Sequence, residues 1–217
     1  MTILTTVVII ILSYALGSAP FSIIVSRIWR GIDIREYGSR NAGFTNVFRV
    51  VGPVPAAIVL ILDVAKGVAA VLFLTKISFG AIPLDSVDLK IVAAVSVILG
   101  HVFPIFAGFR GGKGIATGLG ALLSIIPLEV VVGLVLFVVI VAVTRYVSLG
   151  SLSATTFVFL ALLFERYYLG YEVPKELILG IFCLTAFMFF NHRGNIKRLL
   201  TGTENKFGQK ITRSSRE

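Results

Sequence analysis

Charge is scarce in this chain of 217 residues: Asp, Glu, Lys and Arg together supply 14% of it, where an average soluble domain has about 25%. Hydrophobic residues supply 57%, and the mean hydropathy is +0.97. A soluble fold of this size keeps much of its area wet and cannot hide so much apolar surface. Cysteine is nearly absent too. Cys183 stands alone, so no internal disulfide forms, and its setting in the run GIFCLTAF marks it as a small core or lipid-facing residue. With two histidines and no clustered Cys/His spacing, neither a metal nor a cofactor is expected. The strict apolar–polar alternation of a membrane barrel is missing as well.

Long apolar runs are what the chain has instead. Segments at about 3–25, 53–75, 90–107, 114–126, 128–144, 149–164 and 176–191 are apolar enough for helices in a bilayer, which takes about 20 such residues per crossing. In lipid the backbone must satisfy its own hydrogen bonds, and a helix does so within itself. The first segment lacks a basic n-region and is too long for the apolar stretch of a signal peptide, so it is a span, kinked at Pro20. The segment 114–126 is the shortest and ends near Pro127. The pattern predicts an all-α integral membrane protein, one multi-pass domain over 1–217 with about seven transmembrane helices.

The net charge is +9, which suits nucleic acid, anionic lipid or an anionic substrate. Its distribution favours topology as the first explanation. Arg27, Arg30, Arg35, Arg40 and Arg49 fall in one connection, Arg110 and Lys113 in another, and Arg145 in a third. Arg193, Lys197, Arg198, Lys206, Lys210, Arg213 and Arg216 fall in the C-terminal tail, and only Lys76, Arg166 and Lys175 fall on the other side. By the positive-inside rule the first group faces the cytoplasm, with the N-terminus outside and the C-terminus cytoplasmic. No nucleic-acid partner is expected.

Three stretches on that side differ in chemistry and not merely in charge. The first, residues 38–49, combines glycines with Ser39, Asn41, Gly43, Thr45, Asn46 and Arg49, as a phosphate cradle requires; an ordinary polar loop fits equally well. The second runs from Gly100 and His101 to Arg110, Gly111, Gly112, Lys113 and Gly114. It is no Walker A loop, because Ala107 stands where the first glycine belongs and Gly114 where Ser or Thr is required. It still sets two cations and several glycines before a helix N-terminus, although a tight basic turn reads the same way. The third begins Asn191-His192-Arg193-Gly194-Asn195. On a continuing helix His192 and Asn195 share a face, and a basic interfacial anchor explains its cations but not those two residues. Asp63 and Lys66, three apart within a span, either neutralise each other or join the polar site. Ser148, taken alone, reads as an N-cap. All three stretches on one side predict one basic, glycine-lined pocket at the cytoplasmic interface, suited to a small phosphorylated substrate beside a lipid tail.

These residues resemble the bacterial acyl-phosphate-dependent glycerol-3-phosphate acyltransferases, the PlsY family. The family's first signature reads like GSGNPGATNVLR, and here it is GSRNAGFTNVFR. Its LDxxKG stretch is Leu62–Gly67. Its second signature, GHxFPxFxxFKGGKGVAT, appears as GHVFPIFAGFRGGKGIAT, and its third, HRxNIxRLLxGxE, as HRGNIKRLLTGTE. The likeness runs in matching order through nearly the whole chain. It implies transfer of a fatty acyl group from acyl phosphate to the sn-1 hydroxyl of glycerol 3-phosphate, giving lysophosphatidate and phosphate, in the inner membrane with membrane lipid around it. It also implies seven spans and no direct acyl-CoA or acyl-carrier donor. The HxxxxD motif of the acyl-CoA-using enzymes is indeed missing, since Phe106 and Lys197 stand five residues after His101 and His192.

By the resemblance Ser39, Arg49, Lys113, Ser148, His192 and Asn195 form the active site, and Asn41, Gly43, Thr45 and Asn46 the glycine-rich phosphate-binding part. Lys66, His101, Arg110, Gly111, Gly112, Gly114 and Arg193 are further expected binders. Arg40, Ala42 and Phe44 depart from the family pattern, where Gly, Pro and Ala are usual. Arg49 and Lys113 are expected to offset the repulsion of two phosphorylated substrates. Either His192 or a substrate phosphate takes the hydroxyl proton, and the sequence leaves that choice open. A covalent acyl-serine is disfavoured, since no serine has an obvious His–acid set. A transporter of organic phosphates is the rival from another class, but it calls for a midplane site in matched halves. A non-catalytic scaffold gives no reason for the three polar stretches.

Overall fold

Prolines and glycines divide the apolar runs into helices. The computed structural model describes residues 2–79 and 86–209, and within them the chain is all α-helical with no strand. Lys210, Arg213 and Arg216, counted above with the cytoplasmic cations, lie outside the described residues. The helices are α1 (Thr2–Gly17), α2 (Phe21–Arg30), α3 (Phe44–Val50), α4 (Pro53–Leu72) and α5 (Ser86–Val102) in the first half. In the second half they are α6 (Ile115–Leu123), α7 (Pro127–Thr144), α8 (Val147–Tyr167), α9 (Lys175–Asn191) and α10 (Arg193–Leu200). Pro53 and Pro127 each open a helix, where a missing N–H costs nothing because the first amides of a helix have no partner anyway.

Pro20 interrupts the first span as expected, separating α1 from α2 at residues 18–20. The break frees the carbonyl of Ala19, which accepts a hydrogen bond from Lys66 Nζ at 3.2 Å. The same ammonium lies 2.8 Å from Asp63 Oδ1 and over the ring of Phe21. Lys66 is therefore satisfied inside the protein. Of the two readings of Asp63 and Lys66, mutual neutralisation holds for the lysine, whose side chain is 2% exposed; it is a brace between α4 and the α1–α2 break and not a substrate ligand.

All seven apolar segments contain helix, but not all are long enough to cross. Among the described residues five stretches pass on length and apolarity: Ile3–Arg30, Pro53–Lys76, Val87–Ala107, Pro127–Thr144 and Val147–Tyr167. A sixth is the pair α9 and α10, bent by 60° at His192. The expected fourth span reduces to α6, which has nine residues and rises about 14 Å, half of a hydrocarbon core of about 30 Å.

Lipid gives helices no hydrophobic reason to associate, so contact rests on close backbone approach at small residues. α1 and α5 run side by side in one direction, with Ile9 against Leu89 and Ala93, and cross on Gly17 and Gly100. A Cβ on Gly17 would strike the carbonyl of Val97, and one on Gly100 that of Tyr14. α4 and α6 repeat the device: a Cβ on Gly67 would strike the carbonyl of Thr117, and one on Gly120 that of Val64. These crossings pack the buried core of Ala70, Val97, Ile98, Ala121, Leu162 and Ile181.

The loop between α2 and α3 is pinned by charge. Arg35 holds Asp33 at 2.7 Å and Arg27 adds a contact at 3.2 Å. The hydrogen bond from Arg35 outweighs partial burial and lowers the Asp33 carboxyl to about 2. Arg35 also donates to the carbonyl of Ala107 at 2.7 Å, tying the loop to the turn that follows α5. Arg40 sits in the left-handed region at φ 59°, the conformation a glycine adopts freely and other residues at a cost of about 1–2 kcal/mol. The family's glycine at this place thus has a backbone reason. Arg40→Gly is expected to stabilise the protein by about 1 kcal/mol, read as a higher unfolding midpoint in detergent; an unchanged or lower midpoint would count against it.

After α10 the chain doubles back. Phe207 N donates to the carbonyl of Arg145 at 2.7 Å, and Arg145 Nη2 returns a bond to the carbonyl of Phe207 at 2.8 Å. The Phe207 ring stacks on Phe48 at 4.6 Å, and Arg49 donates to the carbonyl of Asn205 at 3.2 Å. Residues 201–209 therefore form a strap joining α3, the α7–α8 corner and α10.

Candidate active site

Helix ends and loops from all three polar stretches meet at a cavity of about 540 Å³. Its polar end is built by the loop before α3, the start of α6, the start of α8, the α9–α10 bend and the strap, with Ser39, Arg49, Lys113, Ser148, His192, Asn195 and Glu204 on its walls. Its other end is apolar and runs down between α6, α7, α8 and α9 past Leu122, Leu134, Phe137, Val158 and Leu184. Along α8 the lining extends from Ser148 to Val158, ten residues or about 15 Å.

The polar groups are ordered by a chain of contacts. Lys113 Nζ donates to Asn195 Oδ1. The other end of that amide, Nδ2, donates to Glu204 Oε1 at 2.6 Å. Ser148 Oγ donates to the same carboxylate oxygen at 2.9 Å, and Arg198 Nε holds Oε2 at 2.7 Å. His192 Nδ1 lies 2.8 Å from the carbonyl of Met188. A carbonyl only accepts, so Nδ1 carries the proton and Nε2 keeps its lone pair.

Cations here feel their burial. Burial pulls the Lys113 ammonium down to about 8; Glu204 counters this and the nearby Arg198 and Arg49 add to it. The Arg49 guanidinium is drawn below its usual value, chiefly by burial. For Glu204, burial alone would raise the carboxyl, but hydrogen bonds from Asn195, Ser148 and Arg198 together hold it below the usual range. Three buried donors on the cavity wall, Arg49 Nε, Thr185 Oγ1 and Asn191 Nδ2, have no protein partner. Such donors are costly unless an acceptor completes them.

All six expected catalytic residues line the cavity, as do Asn41, Gly43, Thr45, Gly114, His101 and the exposed Arg193. Other expectations need correcting. Asn46 reaches the wall but is 1% exposed, and its amide is spent on the loop: Oδ1 accepts from Ser39 N, and Nδ2 donates to the carbonyls of Ile34 and Tyr37. It shapes the cradle and offers no donor to a substrate. The amides of Gly111 and Gly112 donate to the carbonyls of Val102 and His101, so they do not cradle an anion either. Their lack of side chains is what counts, since a Cβ on Gly112 would strike His101 Nε2. Arg110 is exposed and, like Lys66, is not part of the wall. Ser148 caps nothing: the residue before α8 is Tyr146, and the Ser148 hydroxyl is committed to Glu204.

Glu204, Arg198 and Asn191 are functional candidates that the sequence reading missed. Glu204 closes the third signature and is the sole carboxylate between His192 and Lys210, a signal available beforehand. A carboxylate among residues meant to bind anions runs against simple charge matching.

A family model described as glycerol-3-phosphate acyltransferase matches residues 7–202. A glycerol-3-phosphate acyltransferase of Desulforamulus reducens is 42% identical over 213 residues, covering 96% of this chain and 98% of the relative. One from Clostridioides difficile is 41% identical and covers 97% and 99%. Among solved structures, the glycerol 3-phosphate form of PlsY (YgiH), an integral membrane glycerol 3-phosphate acyltransferase, superposes with a TM-score of 0.82 at 35% identity, covering 94% of this chain and 96% of that one. Its lysophosphatidic acid form gives 0.80 at 34% identity, with 94% and 95% covered.

Proposed function

The chain belongs to the glycerol-3-phosphate acyltransferase family, an integral membrane transferase of phospholipid biosynthesis, and on that premise we propose that its donor is acyl phosphate and its acceptor the sn-1 hydroxyl of glycerol 3-phosphate. The products are lysophosphatidate and phosphate. The observation that carries this reading is the cavity itself, whose cation-lined end opens directly into an apolar length between α6, α7, α8 and α9. A phosphorylated head and a fatty tail need both ends at once, and a purely soluble phosphate substrate needs only the first.

Acyl phosphate carries a good leaving group, so orientation and charge screening are the main tasks. Ser39, Arg49, Lys113, Ser148, His192 and Asn195 are the residues assigned to them, with Asn41, Gly43, Thr45 and Gly114 shaping the phosphate end. Arg49 and Lys113 bring fixed positive charge where two phosphoryl groups would repel each other. The excess of Lys and Arg on the connections that build this end supports a site at the cytoplasmic face of a bacterial inner membrane, with the N-terminus outside. Completing the crossing at residues 114–126 would bring the spans to seven.

The test is direct. Purified protein with palmitoyl phosphate and glycerol 3-phosphate should release phosphate and form lysophosphatidate in equal amounts. Phosphate without acylated product, or turnover with palmitoyl-CoA alone, would defeat the donor assignment.

The lysine also sets a pH dependence. An ammonium that titrates at about 8 is charged below that pH and neutral above it, while a phosphomonoester with a second pKa of about 6 is already dianionic. The KM for glycerol 3-phosphate should stay flat near pH 7 and rise as pH climbs past about 8, approaching tenfold per unit. In Lys113→Arg the rise should vanish over pH 7–9.5; a rise that persists there belongs to another group.

A further inference from the structure

Within the acyl-transfer reading above, we propose that His101 is a positioning residue for Lys113: backed by Asp63, its imidazole bears on Gly112 and keeps the ammonium of the next residue at the phosphate end of the cavity, without touching a substrate.

The need for such a support lies in the chain around the lysine. Lys113 stands in the run Gly111-Gly112-Lys113-Gly114, and Gly114 is left-handed at φ 89°. A glycine has no side chain to wedge against its surroundings and costs more entropy to fix than any other residue. The ammonium must nevertheless meet Asn195 Oδ1 across the cavity, so something outside the run has to hold it. Two backbone bonds contribute, from Gly111 N to the carbonyl of Val102 and from Gly112 N to that of His101. The imidazole is the third hold. Its Nε2 occupies the space where a Cβ on Gly112 would go, and the carbonyl of Ala42 closes the same space from the first polar stretch.

The ring is itself fixed from behind. Its Nδ1 lies 3.4 Å from Asp63 Oδ1, and the same oxygen lies 2.8 Å from Lys66 Nζ. Lys66 in turn donates to the carbonyl of Ala19 at the helix break. Asp63 is 2% exposed, Lys66 3% and His101 8%, so none of the three is free to swing. A rigid line thus runs from the α1–α2 break through Lys66, Asp63 and His101 to Gly112 and on to the lysine. Both ring nitrogens face protein, so His101 reaches the cavity wall without offering a nitrogen to a substrate. Asp63 gains a use beyond neutralising Lys66.

His101→Asn tests this, because the shorter amide still reaches toward Asp63 but ends short of Gly112. It should lower kcat/KM for glycerol 3-phosphate by about 30-fold, within the ~100-fold that a misplacement of about 1 Å costs. Added to Lys113→Met it should cost less than about twofold, because a residue that acts through the lysine has nothing left to act on. A second reading is the pH at which KM starts to rise. In the wild type an ammonium titrating at about 8 in its buried seat sets that point. Glu204, Arg198 and Arg49 act on that charge and His192 feels it, and His101→Asn alters none of them. An ammonium let out into water returns toward its ordinary value of about 10.4 and stays charged to higher pH, so the rise should move up by at least about one pH unit. General damage to the fold removes active protein, which costs the same in either background and leaves the rise where it was. A loss that persists beside Lys113→Met, an unmoved rise, or a folded His101→Asn with wild-type kcat/KM would overturn the proposal. Should His101→Asn fail to fold, as read by its unfolding midpoint in detergent, His101→Gln is read in the same way, since a flexible amide then replaces the ring. The same set of variants compared by equilibrium binding of labelled glycerol 3-phosphate needs no turnover. Wild-type formation of lysophosphatidate tests the acyl-transfer reading by itself, so either idea can fail without the other.

Discussion

Lys113→Met should lower kcat/KM for glycerol 3-phosphate by about 1000-fold, at the upper end of what loss of a preorganised charge-stabilising donor costs. The size follows from its setting. Lys113 leads into the first turn of α6, is half-buried, and is held by Asn195. An ammonium fixed in advance spends no reorganisation when charge moves, and low local polarity strengthens its pull. Methionine keeps the length and apolar stem, so folding should survive, with an unfolding midpoint near that of the wild type. The loss should appear in kcat as well as KM, because charge on the leaving phosphate grows during the reaction. A variant that keeps kcat and changes only KM would reduce Lys113 to a passive binder.

The second large effect is on the fold. Gly120→Val should destabilise by about 3 kcal/mol or more, the upper range for forcing atoms into a packed core. Gly120 abuts the carbonyl of Val64, and Gly67 on the facing helix abuts that of Thr117. Neither contact ends on a flexible side chain that can swing aside; both end on helix backbone. α4 and α6 must separate, and α6 carries the approach to Lys113 with it. Loss of a monodisperse peak in detergent, or a midpoint lower by many degrees, is the expected reading. A midpoint within a degree or two of the wild type would mean that the crossing is looser than its geometry. Gly118→Ala, whose added methyl meets only ordinary contacts with Ile98 and Met188, is the control.

Both effects depend on features that were unequally legible in the sequence. The spans were visible because lipid demands long apolar runs, and the gathering of three polar stretches on one side followed from where Lys and Arg fall. That the six proposed catalytic residues would share one wall was readable from motif and side alone. Pairings were not. Nothing local tells Asn46 to spend its amide on Ile34 and Tyr37, or the amides of Gly111 and Gly112 to turn back on α5. These choices depend on where distant backbone carbonyls end up. Lys66 looked like a candidate ligand because a charge in a span needs a reason. Its reason is the broken helix at Ala19, in direct contact but 47 residues earlier in the chain and so invisible in local spacing. The shortness of α6 was hinted at by Pro127, whereas the Ser148–Glu204 bond joins residues 56 apart.

The strap has a consequence for biosynthesis. Residues 201–209 follow the crossing segments found among the described residues, yet they supply Glu204 and tie down Arg49 and the α7–α8 corner. Insertion of the spans, as they emerge one after another, thus yields an embedded bundle whose reaction centre still lacks a wall. Catalytic competence arrives as a separate, later event, when this stretch clears the ribosome and stacks Phe207 on Phe48. A nascent chain halted just short of it would be fully inserted and silent.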